Sequence, residues 1–183
     1  MTTWEDLLEQ VARERYGRLV AHATLVSASP ADAQDLVQES LIAAFSSRAR
    51  FGSVEQAEAY VRRAIASRAV DAGRRRTREA RLLARAAAQA PMATAEVDLL
   101  PGADVVRALA TLSPRERACV VLRQMEDLSV TETSAVLGLS EGAVKRYTSD
   151  GLARLNAVLG STAPPVERIS VRTLGSTEVR HER

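Results

Sequence analysis

The sequence predicts an all-α protein of two small helical domains joined by a flexible linker. Three observations carry that expectation. Apolar residues recur at helical spacing through most of the chain. The core-forming set is Ala, Leu and Val, with 46% hydrophobic but only 3% aromatic residues, a palette that suits helices. One Ala-rich stretch, residues 86 to 103, breaks the pattern with Pro91 and Pro101 and holds no basic residue. A length of 183 residues has room for one domain or two small ones.

Each element has its own signals. Thr2-Thr3-Trp4-Glu5 has capping-box spacing, and Trp4, Leu7, Leu8, Val11, Ala12, Leu19, Val20 and Ala23 predict one long first helix. Ser29-Pro30 starts a second helix, with Ser as cap and Pro at the first helical position. It buries Ala33, Leu36, Val37, Leu41, Ala44 and Phe45. Ser53-Val54-Glu55-Gln56 reads as another capping box. A long third helix follows through Tyr60, Val61, Ala64, Ile65 and Val70 into Gly73-Arg74-Arg75-Arg76. After the linker, periodicity returns at Asp104. Ser113-Pro114-Arg115-Glu116 caps the next helix, which carries Cys119, Val120, Val121 and Leu122. After Pro164-Pro165 the pattern dissolves, so the tail from 161 to 183 is expected to be disordered or ordered by a partner.

Composition excludes several classes. One cysteine, Cys119, forbids an internal disulfide framework and any multi-cysteine metal site. His22 and His181 lie too far apart in sequence to suggest structural zinc, and no metal or cofactor is expected. No apolar run approaches the roughly 18 residues of a membrane span. Glu5, Asp6 and Glu9 stand where a secretory leader would be basic, so a cytoplasmic protein without catalytic machinery is expected. The 25 basic groups are 24 arginines and Lys145, against 23 acidic ones. Guanidinium forks favour oxyanions such as phosphate.

Three constellations carry chemistry. Residues 128 to 156 have the form of a helix-turn-helix. Ser129 or Thr131 caps a first helix over Thr131 to Val136. Gly138 takes the turn, where positive φ costs it nothing. Ser140 caps the second helix. With Val144, Leu152 and Leu155 facing inward, Glu141, Lys145, Arg146, Ser149 and Arg154 project, as a helix entering a major groove requires. A plain helical hairpin with a charged face is the alternative, and Arg154 alone reads as a solvated residue. On the second helix, Asp32, Asp35 and Glu39 share one face with Gln38 beside them, either a docking surface or a solvated face. Between Arg62 and Arg85, nine arginines stand against Asp71 and Glu79, a net +7 where the whole chain is +2. Phosphate binding is the natural reading, and a generic basic helix end is the alternative. The loop Ser46 to Gly52 adds Arg48, Arg50 and Phe51, whose ring either stacks on a base or plugs the core.

The C-terminal pattern by itself resembles two families: LuxR-type regulators, which share the Leu-Ser-x-Arg-Glu phrase, and the fourth domain of sigma-70-family sigma factors. The N-terminal half separates them. A phospho-receiver needs alternating strands and helices, an acidic pocket and a lysine, whereas this half is all helix without lysine. Residues 32–45 look like the core-binding helix of sigma-2 domains, and residues 60–76 like the −10 recognition helix that follows it. Over about residues 5 to 158 the chain is similar to the two-domain extracytoplasmic-function sigma factors of bacteria.

That resemblance implies a sigma-2-like domain over 1–85, a linker over 86–103 and a sigma-4-like domain over 104–160. It implies a factor that binds core RNA polymerase, through the β′ coiled coil and the β flap, and directs initiation at chosen promoters. By the same resemblance Asp32, Asp35, Gln38 and Glu39 contact polymerase. Arg48, Arg50, Phe51, Tyr60, Arg62, Arg63, Ser67, Arg74, Arg75 and Arg76 contact the −10 element. Ser140, Glu141, Lys145, Arg146, Ser149 and Arg154 contact the −35 element. An anti-sigma protein is the expected antagonist. Two departures stand out: Tyr60 where the family often has Trp, and Ser67 where Asn is frequent.

Overall fold

The computed structural model describes residues 3–47, 49–84 and 102–162. Among them are eight helices and no strand: α1 Trp4–Glu14, α2 Tyr16–Ser27, α3 Pro30–Phe45, α4 Val54–Ala84, α5 Ala103–Ala110, α6 Pro114–Gln124, α7 Val130–Leu137 and α8 Glu141–Thr162. The expected linker lies outside the described residues except for its last two, and the expected tail except for its first two.

Local chemistry sets the starts. Thr3 caps α1, but the reciprocal partner is Asp6 rather than Glu5: Thr3 N donates to the Asp6 carboxylate at 2.6 Å, and Asp6 N donates to the Thr3 hydroxyl at 3.2 Å. Ser29, Ser113 and Ser129 each take the backbone N–H three residues on. In α6 and α7 the third residue, Glu116 or Glu132, reaches back to complete the box. At α4 the box is incomplete. Ser53 accepts from Gln56 N at 3.3 Å, while the Gln56 amide oxygen accepts from Gly52 N at 2.8 Å.

The expected single first helix is two. Arg15, at φ −113 and ψ 5, ends α1 and begins α2 with no capping side chain. The break lets α1 and α2 both lie on α4: Leu7, Leu8 and Val11 on one side and Leu19, Ala23 and Val26 on the other are all buried. Arg15 and Arg18 then meet Glu58 of α4, at 3.8 and 3.1 Å.

The first unit packs α1–α3 around α4, whose Ala57, Val61, Ile65, Ala66 and Ala69 are buried. The second packs α5–α7 against α8. The two units also pack on each other, which the linker's composition does not foretell. One apolar cluster continues from Val61 and Ile65 through Leu109, Leu112, Val121 and Leu122.

Arg117 anchors this seam. It is only 8% exposed, and its guanidinium donates to the carbonyls of Leu109 and Leu112, each at 2.9 Å, and of Ser27. Leu109 lies in the last turn of α5 and Ser27 ends α2, so the cation sits at two helix C-termini, where the dipoles favour positive charge. Burial is the main reason its pKa falls to about 10, with Arg76 adding repulsion.

Candidate nucleic-acid and polymerase-binding surfaces

α7 and α8 form the helix-turn-helix. Gly138 joins them at φ 60 and ψ 40, and its N–H closes α7 on Ser134. Ser140 accepts from Ala143 N at 3.2 Å and so starts α8. Val144 is fully buried, and this fixes the helix rotation. Glu141, Lys145, Arg146 and Ser149 are exposed on the outer side. Glu141 also accepts from the Thr131 hydroxyl at 2.7 Å, which ties the two helices of the motif together. Arg154 differs from these. It donates to Glu116 at 3.0 Å, bracing α8 on α6. Tyr147 accepts from Arg115 at 3.3 Å, with the Arg146 guanidinium 5.1 Å from its ring centre.

α3 presents the acidic face. Leu36, Val37, Ser40 and Leu41 are buried, so Asp35, Gln38 and Glu39 point outward. Ile42, 67% exposed, and Phe45, 38% exposed, continue the same outward side. Asp32 is partly withdrawn from this face, because Arg76 of α4 donates to its carboxylate. Two residues expected at different surfaces are thus partners here.

α4 carries the basic set. Arg74, Arg75 and Arg76 are exposed, and Ser67 is half-buried. Tyr60 and Phe51 pack together with ring centres 5.1 Å apart, both against the core, which places Phe51 as a partial plug. Arg50 is exposed, and Arg48 lies outside the described residues.

Arg62 is held on both sides. It donates to Glu58 and to Glu126, each at 2.8 Å, and its side chain is 20% exposed. Arg63 lies 3.8 Å from Glu132. Glu126 and Glu132 belong to the second unit, so the seam engages two of the expected −10 residues. His22 joins the network, with one ring nitrogen 3.3 Å from the Glu126 carboxylate and the other 3.2 Å from the Arg62 carbonyl.

Sequence reasoning missed Glu58, Arg117 and Glu126. Glu58 and Arg117 sit amid charges at helical spacing and Glu126 in a polar turn, and only their partners distinguish them from solvated residues. A weak signal existed for Glu58, which shares a helical stripe with the apolar Val61 and Ile65. Cys119 is fully buried, and burial pushes its thiol up to about 11, as befits a small core residue. Among the described residues there is no cluster of potential metal ligands, and no helix is long and apolar enough to cross a membrane.

Comparison with known proteins agrees in both halves. Residues 11–79 match the family described as sigma-70 region 2, and residues 103–155 match sigma-70 region 4. The chain is 32% identical over 151 residues to the RNA polymerase sigma-E factor of Streptomyces coelicolor, spanning 82% of this chain and 85% of that protein. It is 33% identical to the sigma-E factor of Streptomyces avermitilis, over 84% and 85% of the two chains. It is 29% identical to the extracytoplasmic-function sigma factor SigM of Mycobacterium tuberculosis, over 83% and 76%. The fold superposes, with a TM-score of 0.61 at 23% identity, on the sigma factor RpoE of Bartonella quintana, solved in complex with the anti-sigma factor NepR, covering 85% of this chain and 98% of that one. A helix-turn-helix that displays Lys145 and Arg146, behind a helical unit with an acidic and a basic face, is thus found in a chain that belongs to the sigma-70 family, in its extracytoplasmic-function group: an RNA polymerase sigma factor that directs transcription initiation.

Proposed function

We propose that α8 reads the −35 element, that α4 with the preceding loop engages the −10 element, and that α3 docks on core polymerase. One observation carries the first assignment: full burial of Val144 turns Lys145 and Arg146 outward at the start of α8. Ser140, Glu141 and Ser149 share that outer side, while Arg154 acts mainly through Glu116. Exposed Arg74, Arg75 and Arg76 hold backbone phosphates, and Arg50 extends the basic surface. Tyr60 and Phe51 provide stacking surface for unpaired bases. Arg62, Arg63 and Ser67 complete that side when the seam opens. Asp35, Gln38 and Glu39 meet the β′ coiled coil, with Asp32 joining once Arg76 turns to DNA. The second unit, 104–160, also meets the β flap.

The protein then acts in the cytoplasm, where polymerase is, and performs no catalysis of its own. An anti-sigma protein that holds the two units closed is the natural antagonist, since the relative in Bartonella quintana binds one.

The polymerase assignment is tested by pull-down of core enzyme with the Asp35→Arg, Glu39→Arg double variant. Both residues face outward, so circular dichroism should match wild type while core binding is lost. A folded double variant that binds core as wild type does overturns the assignment.

A further inference from the structure

The units pack tightly where Gly73 of α4 meets Pro114 of α6. A Cβ on Gly73 would lie 2.4 Å from the proline Cγ. Beside this contact opens a cleft of about 460 Å³. Arg74, Thr77 and Arg78 line it from the first unit, and Ser113, Arg115 and Tyr147 from the second. Volumes of roughly 300–1,000 Å³ suit small-molecule ligands.

Its electrostatics are one-sided. Three guanidiniums line the cleft and no carboxylate does. Arg74 lies 3.9 Å from Asp71, Arg74 and Arg78 share an adjoining cleft with Asp71 and Glu39, and neither Arg78 nor Arg115 has a carboxylate within ion-pair distance among the described residues. Arg115 spends one N–H on Tyr147 at 3.3 Å, while its Nε is buried without a partner. The Tyr147 phenol sits below its ordinary pKa, chiefly through that hydrogen bond from Arg115. The cleft also lies at the N-terminus of the 11-residue α6, where the helix dipole adds positive potential. Closing the seam thus gathers like charges from both units with no carboxylate in the cleft itself, and a multivalent anion would resolve the conflict.

We propose that this cleft binds a small polyphosphate, as a nucleoside polyphosphate or as free pyrophosphate, whose oxygens bridge Arg74 and Arg78 of the first unit to Arg115 of the second. Guanidinium forks match phosphoryl oxygens two at a time, and the Ser113 hydroxyl, which accepts from Glu116 N, keeps its proton to donate. Tyr147, the sole aromatic lining residue, gives a nucleobase a surface to pack on. A DNA duplex is too wide to enter, so the closed cleft selects a small anion. Because residues of both units form the site, the ligand binds only the closed arrangement and stabilises it by mass action. It would also withdraw Arg74 from promoter DNA. The binding claim does not depend on promoter recognition, since it concerns the free chain.

The test is calorimetric titration of the full chain, without polymerase, at about 0.15 M salt. The probes are GTP, ATP, inorganic pyrophosphate and a short single-stranded oligonucleotide. Saturable binding of at least one of the first three is expected, weakened about tenfold or more in Arg78→Ala and in Arg115→Ala. Each variant should melt near the wild-type temperature without ligand. Nucleotides binding more tightly than pyrophosphate, with the excess lost in Tyr147→Ala, identify a nucleotide site. Equal affinities identify recognition of the polyphosphate alone. No saturable binding of the three up to about 1 mM overturns the proposal. So does binding that survives both arginine substitutions. Binding of the oligonucleotide alone, lost in the same variants, assigns the cleft to nucleic acid and also overturns it.

Discussion

Burial would by itself raise the pKa of Glu126, yet hydrogen bonds from His22 and Arg62 outweigh it and hold the carboxyl below its ordinary value of 4.5. A carboxylate with a depressed folded-state pKa contributes stability that is fully present above the unfolded value. That stability is lost as pH falls through the folded one. The window therefore lies below 4.5. Thermal unfolding from about pH 6 to about pH 3 should show wild type losing more stability below that value than Glu126→Gln, whose side chain does not titrate. Equal losses in the two proteins would show that the Glu126 network contributes nothing across the seam. The same residue marks a limit of reading from sequence. Glu126 follows Met125 in a polar turn and looks like any exposed acid there. Its partners His22 and Arg62 are distant in the chain, so no local pattern announces them. By contrast, Ser29 and Ser113 were legible as caps, and Ser129 as one of two candidates, because the groups they bind lie three residues away.

Helices were legible as elements because period and caps are local, and their boundaries failed where no breaker residue marks them. Arg15 separates α1 from α2 without Gly, Pro or a cap, and the packing of both helices on α4 decides the break. Most of the helix-turn-helix was legible, since Gly138 and Ser140 each have one plain structural use, while the first cap was open between Ser129 and Thr131 until the structure gave it to Ser129. Gly151 of α8 was passed over. A Cβ there would lie 2.7 Å from Val120 Cγ2 and 3.5 Å from the Glu116 carbonyl, so this glycine lets α6 and α8 cross closely. Gly151→Ala gains up to about 1 kcal/mol of helix propensity but overpacks a buried crossing at a cost of about 1–3 kcal/mol. Urea unfolding should therefore show a net loss. Gly142→Ala, where nothing lies within 4 Å of the new carbon, should be neutral or slightly stabilising. A stabilised Gly151→Ala would mean that the crossing is looser than described.

At the scale of the whole molecule, the two units share one apolar cluster, and the seam engages Arg62 and Arg63. The sequence made both units recognisable but not their contact, because Gly73, Pro114 and Arg117 gain their roles only when the units meet. Gly73→Ala adds a carbon 2.4 Å from a proline ring that has little freedom to move. The variant should keep both units folded, since α4 accepts alanine readily, and should separate them. Small-angle scattering should then give a larger radius of gyration than wild type at unchanged helicity. An unchanged radius would place the two units' association elsewhere than at this contact.

We infer that this chain starts transcription by displaying α8 to promoter DNA while its first unit holds polymerase. Run-off transcription with purified core polymerase, on promoters selected from genomic fragments, tests it most directly. Core alone should give no specific transcript, and adding the chain should give transcripts with defined starts. Lys145→Ala and Arg146→Ala should each reduce them. Loss of a base contact, about 1–3 kcal/mol, should relax specificity at one −35 position, whereas loss of a phosphate contact should weaken all promoters alike and lower the salt dependence. Transcripts that appear only with a second sigma factor present, or that are unchanged in both variants, would contradict the account.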